Sequence, residues 1–193
     1  FGRQTRDYLP YATQSPTNMA FDANASNNVV QFYRIDKYEN TDNPFSDKEL
    51  ESSSLNRTIK QAAPGTDWGL NNGKGHEIKM NYQSNIGNEV RLFKATTTWN
   101  TSLGLYDIAF SDDGNYEANQ LYKTIIYDEN TIVGSNVGTE EFKNKEGQVV
   151  LKRTYESQQR YDTYYVYDSY GNLTYVIPPK ADGAITNEIL NGL

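Results

Sequence analysis

Apolar and polar residues alternate along much of this chain, and that period of two predicts β-strands rather than helices. The clearest case is the segment 164–179, where two alternating arms flank a short polar stretch containing Gly171. Gly171 stands where a tight turn needs a positive φ, and Pro178-Pro179 ends the pairing because proline has no backbone N–H. The sequence therefore predicts a tyrosine-rich β-hairpin. The side chains expected to share its apolar face are those of Tyr165, Tyr167, Leu173, Tyr175 and Ile177.

The same alternation predicts further strands in the rest of the chain. These strands cover Val29–Tyr38, Leu55–Ala63, Glu77–Tyr82, Glu89–Thr98, Leu103–Phe110 and Asn119–Tyr127, and two hairpins cover Glu140–Tyr155 and Asp162–Ile177. Turns are predicted at Asn43–Glu49, at Asn85–Asn88 between two strands of one hairpin, and at Ser111–Asn115. No amphipathic helical stretch of ten or more residues is present. The predicted fold is all-β and antiparallel, with long loop insertions.

Two of the predicted hairpins repeat each other. When residues 141–151 are placed over 165–175, four positions correspond at a spacing of 24 residues. The matched pairs are Asn144 with Asp168, Gly147 with Gly171, Val149 with Leu173, and Leu151 with Tyr175. Tyr127-Asp128 marks a third unit whose glycine is displaced. Phe1-Gly2 aligns with Tyr170-Gly171, so residues 1–10 are expected to be the second half of a hairpin. A period in the low twenties indicates stacked units that bury their faces on one another.

This pattern resembles the YD-repeat (Rhs) family, because Tyr167-Asp168 is followed by Gly171 and then by an apolar strand. The sequence of several other segments is similar to the large Rhs-type secreted proteins of Bacteroidetes. The segments that carry this likeness are Phe1-Gly2-Arg3-Gln4 with Asp7–Pro10, Pro44-Phe45-Ser46, Leu55-Asn56-Arg57 with Ala63-Pro64-Gly65, Thr97-Thr98-Trp99, and residues 140–179. The chain departs from the pattern where Lys143 replaces the expected tyrosine and Asn144 the aspartate, and where residues 11–120 insert long non-repeat stretches.

The resemblance implies a segment of a spiralling β-shell that encapsulates or presents a toxin or effector. It implies four segments: half a repeat hairpin over 1–10, a β-rich insertion over 11–120, YD-like hairpins over 121–179 and a polar tail over 180–193. It places Gly2, Asn144, Gly147, Tyr167, Asp168, Gly171 and Tyr175 in the structural repeat motif. The partners it implies are the rest of the same polypeptide, with a C-terminal toxin, and outer-membrane secretion machinery such as type IX. The implied location is secreted or at the cell surface.

Composition narrows the function classes. Aromatic residues make up 13% of the 193 residues, with 16 tyrosines, which argues against disorder and suits a sheet whose surface is covered by tyrosine rings. The net charge of -7 and the absence of a basic run disfavour nucleic acid and anionic membranes as partners. No apolar run approaches the ~18 residues of a membrane helix. Without cysteine, disulfides and thiolate metal sites are excluded. Because the chain opens without Met, we expect a fragment of a longer polypeptide.

Few residues suggest chemistry. His76 is the only histidine, so a triad or two-histidine metal site is excluded within the chain, although His76-Glu77 has the composition of an acid–base pair. Asp112-Asp113-Gly114-Asn115 with Glu117 offers oxygens for Ca²⁺ but lacks EF-hand spacing, and a β-turn accounts for it better. We therefore predict no catalytic residue, no metal site and no cofactor.

Two other function classes stay open. An adhesin or carbohydrate-binding module would use surface tyrosines with Trp68 or Trp99, since flat amphipathic rings stack on sugars. An enzyme is disfavoured because no nucleophile and base can be assembled, although the 25 carboxylates leave room for a glycosidase-type pair.

Overall fold

The computed structural model describes residues 2–13, 21–131 and 137–181, which are mostly β-structure. Nine of the eleven described strands form one antiparallel sheet, and the other two form a separate hairpin. One short α-helix and three 3-10 turns complete the described elements. The predicted antiparallel β-class is confirmed, with the helix as its exception.

The strands, named in chain order, are β1 (Arg6–Tyr8), β2 (Phe45–Leu50), β3 (Thr58–Ala62), β4 (Ile78–Ser84), β5 (Arg91–Asn100), β6 (Leu105–Asn115), β7 (Tyr122–Tyr127), β8 (Thr139–Lys143), β9 (Val149–Glu156), β10 (Gln159–Tyr167) and β11 (Leu173–Ile177). The helix α1 is Ala25–Tyr33. The order in the large sheet is β1-β2-β3-β4-β7-β8-β9-β10-β11, and β5 pairs with β6. Among the described strands the series is open, with β1 and β11 at its ends.

The chain divides into two compact units, one of Phe1–Met80 with Tyr127–Asn136 and the other of Asn81–Ile126 with Val137–Leu193. We call them unit 1 and unit 2. The four segments predicted from the resemblance stay a prediction, and the tail from residue 182 onward lies outside the described residues.

Unit 1 begins with a strand pair that joins distant parts of the sequence. The register places Arg6 opposite Asp47 and Tyr8 opposite Phe45. The Arg6 guanidinium lies 3.8 Å from the Phe45 ring centroid and 2.7 Å from the Asp47 carboxylate. The predicted turn at Asn43–Glu49 is therefore wrong, because β2 is held as a strand by a partner about forty residues away that local turn propensity does not reveal.

The predicted strand at Val29–Tyr38 is also wrong, because its first half belongs to α1. Val29, Phe32 and Tyr33 recur at helical spacing, and Val29 is buried. The rings of Phe32 and Tyr33 lie 5.2 Å apart, and both contact Tyr38 in the following 3-10 turn. A short window matches both periods, and packing decides between them. None of the described helices is long and apolar enough to span a membrane.

Unit 2 contains the meander β7-β8-β9-β10-β11, in which each strand pairs with the next along the chain. The two hairpins predicted at Glu140–Tyr155 and Asp162–Ile177 are confirmed. In the second, the register sets Tyr164 opposite Ile177 and Tyr165 opposite Val176. Tyr164 and Ile177 are buried, whereas Val176 is exposed. The prediction that Tyr165 shares the face of Ile177 is therefore wrong.

The hairpin β5–β6 covers the buried face of this meander. The rings of Phe93 and Tyr164 meet edge to face at 5.0 Å, and those of Phe110 and Tyr175 do so at 5.5 Å. Phe93, Phe110 and Tyr164 belong to a core against which Tyr175 packs. The other core residues are Val90, Ala95, Leu121, Phe142, Val150, Leu151, Val166 and Ile177. Aromatic pairs of this geometry add about 0.5–1.5 kcal/mol beyond the burial of their area.

Two predictions about the turns of unit 2 are wrong. A turn does lie at Gly87-Asn88, but it does not join β4 and β5 into a hairpin, because β4 lies between β3 and β7 in the large sheet whereas β5 pairs with β6. The buried side chain of Asn85 accepts a hydrogen bond from Leu121 N and donates one to Glu117 O, both 2.8 Å. Ser111–Asn115 is not a turn, because β6 runs through it opposite β5. Gly114 has a φ of 88° where the register of that pair is irregular, so the glycine marks a bulge.

Candidate functional site

Two turns at the same end of the meander share one hydrogen-bond pattern. We call Asn144–Gln148 the first turn and Asp168–Asn172 the second turn. In the first, Gly147 N donates to Asn144 O and Asn144 N to Gln148 O, both 3.0 Å. In the second, Gly171 N donates to Asp168 O at 3.1 Å and Asp168 N to Asn172 O at 2.9 Å. The glycines have φ of 82° and 84°. Each is a β-turn closed by a left-handed glycine.

The opening side chain performs the same task in both turns. Asn144 Oδ1 accepts from Gln148 N at 2.9 Å, and Asp168 Oδ1 accepts from Asn172 N at 2.8 Å. The side-chain amide of Asn172 lowers the pKa of Asp168, with help from backbone N–H groups. Asparagine and aspartate are therefore interchangeable here because either supplies the same oxygen.

The two turns are also bonded to each other. Gln148 Nε2 donates to Gly171 O at 3.2 Å, and Gln148 Oε1 accepts from Asn144 Nδ2 at 2.7 Å. The Tyr167 hydroxyl donates to Val149 O at 3.1 Å. A Cβ on Gly171 would lie 3.2 Å from Gln148 Nε2, whereas one on Gly147 would meet nothing within 4 Å. One hairpin thus positions the turn of the next.

The other predicted repeat positions fit this pattern less well. Thr131 N donates to Asp128 O at 3.2 Å, and Asp128 Oδ1 accepts from Asn130 N at 3.0 Å. The turn after Tyr127 therefore begins with the same hydrogen bonds as the second turn, but Thr131 occupies the position of the glycine. Gly2 is exposed and is not among the glycines with positive φ. Tyr175 lies on the buried face beside Phe110.

A groove of about 490 Å³ lies in unit 2 beside both turns, and we call it the turn groove. The start of β5 lines one part of it, and Gln148, Asp168 and Tyr170 line another. Ser169 Oγ lies 3.2 Å from Thr97 Oγ1, which ties the second turn to β5. Five tyrosines contribute to the lining, namely Tyr116, Tyr164, Tyr165, Tyr167 and Tyr170.

A buried charged cluster, which the sequence pattern does not reveal, lies on the covered face of the meander. Its members are Glu89, Lys123, Glu140, Arg153 and Asp162. Arg153 Nε lies 2.8 Å from Asp162 Oδ1, and Arg153 Nη1 lies 3.2 Å from Glu140 Oε2. Lys123 Nζ lies 2.6 Å from Glu89 Oε1. Alternation places all four strand residues inward, but only the register shows that opposite charges face each other.

The electrostatics of this cluster favour a structural role. Burial by itself lowers the pKa of Lys123 and of Arg153, yet the carboxylates of Glu89, Glu140 and Asp162 outweigh it and raise both. Tyr155 donates to Glu140 Oε1 at 3.3 Å, and burial followed by the Glu140 charge raises the pKa of Tyr155. Each carboxylate of the cluster therefore faces a cation.

His76 lies in a pocket of about 280 Å³ in unit 1. Its Nδ1 donates to Glu129 O at 3.2 Å, and its ring lies 4.9 Å from that of Trp68. Glu77 is buried, and its Oε2 has no hydrogen-bond partner among the described residues. The two neighbours are thus held by different surroundings, and His76 has Trp68 rather than Glu77 as its ring partner.

Two of the carboxylates considered for Ca²⁺ are engaged in ion pairs. Asp112 pairs with Arg91, and Asp113 pairs with Lys94, whose side-chain amine lowers the Asp113 pKa. Within residues 2–13, 21–131 and 137–181, no group of three or more His, Cys, Asp or Glu residues is arranged to hold a metal ion.

Residues 1–84 match the family model of a domain of unknown function, DUF6443. The match ends with β4 and covers less than half of the chain. No curated protein and no solved structure matches the chain significantly. The YD-repeat resemblance is therefore supported by no named homologue, and it stays a prediction that depends on the repeat itself.

Proposed function

We propose that this chain is a structural segment of a secreted YD-repeat (Rhs-type) protein. Its hairpins form part of a β-shell that encapsulates or presents a toxin or effector, and its partners are the rest of the same polypeptide and outer-membrane secretion machinery. We assign no catalytic step to it. Its role is structural: it holds neighbouring hairpins of the β-shell together.

One observation carries this proposal, namely the bond from Gln148 Nε2 to Gly171 O between two equivalent turns 24 residues apart. Units that repeat and bond to their neighbours are the basis of stacked architectures. The Tyr167 hydroxyl supports the same conclusion, because it bonds the backbone of the preceding hairpin at Val149. The tyrosine, the Asx residue and the glycine of the motif each have a mechanical task.

The test uses the full-length polypeptide that carries this segment. We expect its reading frame to encode further 20- to 25-residue repeats, in the range expected for stacked units of this kind, and a downstream domain that limited trypsin treatment leaves intact. Replacing both Gly147 and Gly171 by valine should disrupt the β-shell and expose that downstream domain to trypsin. The matched control is Gly87→Val, because Gly87 has an ordinary φ and open space around it.

A reading frame without further repeats would contradict the proposal. So would a downstream domain that trypsin digests as fast in the intact protein as when it is expressed alone.

A further inference from the structure

The structural role proposed above does not require the turn groove. It lies within unit 2, between the start of β5 and the paired turns, and Val150 and Tyr164 contribute to its lining. Its volume of about 490 Å³ falls within the roughly 300–1,000 Å³ usual for small-molecule sites. Ser169 fixes the second turn against Thr97, so the groove is preformed on one side by a hydrogen bond.

Six of the sixteen residues that line the groove are aromatic. Tyr170 is 67% exposed, so much of its ring is open to solvent at the rim. The hydroxyls of Tyr116 and Tyr165 make no hydrogen bond among the described residues. Burial, followed by the negative charge of Glu146, raises the pKa of Tyr116. The groove thus offers ring faces and phenolic hydroxyls together, which suits a ligand with C–H faces and many hydroxyls.

The charges of the groove disfavour an anionic ligand. Its two cations, Arg91 and Lys94, are paired with Asp112 and Asp113, and Lys94 Nζ lies 2.5 Å from Asp113 Oδ2. The chain as a whole carries -7. A phosphate or sulfate would have to compete with carboxylates already in place.

We propose that the turn groove binds a neutral oligosaccharide. Tyr170 supplies the stacking surface, and the hydroxyls of Tyr116 and Tyr165 bond to sugar hydroxyls. The site is independent of the proposed structural role, because a shell segment without a ligand would hold its turns in the same way.

The chain provides a matched pair of variants for the test. Tyr170 and Tyr122 are exposed to 67% and 66%, but only Tyr170 lines the groove. Saturation-transfer NMR and calorimetry would measure binding of cello-, xylo-, manno- and laminari-tetraose, with a heparin-derived tetrasaccharide as the anionic probe. We expect a neutral tetrasaccharide to bind with a Kd on the order of 0.1–1 mM. Tyr170→Ala should weaken it about tenfold or more, and Tyr122→Ala less than about twofold.

Tyr170→Phe separates the ring from its hydroxyl and should bind within about threefold of the parent. Circular dichroism would check that each variant is folded. The proposal is overturned if no neutral tetrasaccharide binds, if only the heparin fragment binds, or if Tyr122→Ala and Tyr170→Ala weaken binding equally. None of these outcomes concerns repeat stacking, so the proposal of oligosaccharide binding can be rejected without rejecting the proposed structural role.

Discussion

The first hairpin (β8–β9) and the second hairpin (β10–β11) have the same turn but different interiors. Both turns combine an Asx oxygen with a left-handed glycine. The first hairpin buries Glu140 and Arg153 beside Phe142, whereas the second buries mainly Tyr164, Val166 and Ile177. The repeat is thus maintained where the backbone geometry is demanding, and the interior varies as long as each buried group finds a partner.

Arg153→Ala tests the charged interior of the first hairpin and should have the largest effect. It leaves Asp162 and Glu140 buried without their main cation, and such losses cost about 3–5 kcal/mol. Urea unfolding at neutral pH would measure the change in free energy. Lys152→Ala is the control, because Lys152 is an exposed neighbour on the same strand. A loss below about 1 kcal/mol would mean that the cluster behaves like a surface ion pair.

Glycine substitutions compare the two turns directly. Gly147→Ala should cost about 1–2 kcal/mol, because an L-residue is strained at its positive φ. Gly171→Ala should cost up to about 1 kcal/mol more, since its Cβ would lie 3.2 Å from Gln148 Nε2 and the shift of that side chain weakens its bond to Gly171 O. Gly87→Ala should lie within about 0.5 kcal/mol of the parent.

A double-mutant cycle then isolates the bond between the turns. In a Gln148→Ala background, Gly171→Ala should cost no more than Gly147→Ala does in the parent. If the difference between the two glycines survives without Gln148, the turns are not coupled through that side chain.

Tyr167→Phe tests the second link between the hairpins. It removes the hydroxyl that bonds Val149 O, and the expected loss is about 1 kcal/mol in thermal or urea unfolding. Tyr165→Phe is its control, because the Tyr165 hydroxyl has no hydrogen bond among the described residues. Equal losses in both variants would assign the effect to something other than this bond.

Low pH should affect the second turn but not the first, and this is the smallest of the expected effects. The pKa of Asp168 is lowered in the folded state, so its contribution is complete above the ordinary value of about 3.9 and is lost as the pH falls through the lower folded value. Asn144 does not titrate. NMR should therefore show the Asn172 amide shifting below about pH 4 while the Gln148 amide stays in place. Asp168→Asn should abolish the shift, and a shift that persists would identify another group as its origin.

The local part of the fold was predictable from the sequence. Gly147, Gly171 and the alternation around them specify both hairpins, because turn and strands lie within a few residues of each other. β2 was missed because Phe45 gains its strand partner from Tyr8, far back in the sequence. The helix was missed because Val29 and Phe32 fit a period of two as well as one of 3.6.

The candidate sites also differ in whether local sequence or tertiary structure defines them. The turn residues were found from spacing alone, including the exchange of Asn144 for aspartate. The charged cluster was not found, because Arg153 meets Glu140 and Asp162 only when three strands are in register. The turn groove was not found either, since β5 reaches the turns through tertiary packing.

The pairing of β1 with β2, across 41 residues between Arg6 and Asp47, also has a consequence for folding kinetics. Closing so long a loop costs chain entropy before any contact stabilises it, whereas β9 and β10 meet through the two-residue loop Ser157-Gln158. The meander should therefore fold first and β1 should join last. Pulsed hydrogen exchange during refolding would show β9 and β10 amides protected before those of β1, and the reverse order would contradict this sequence of events.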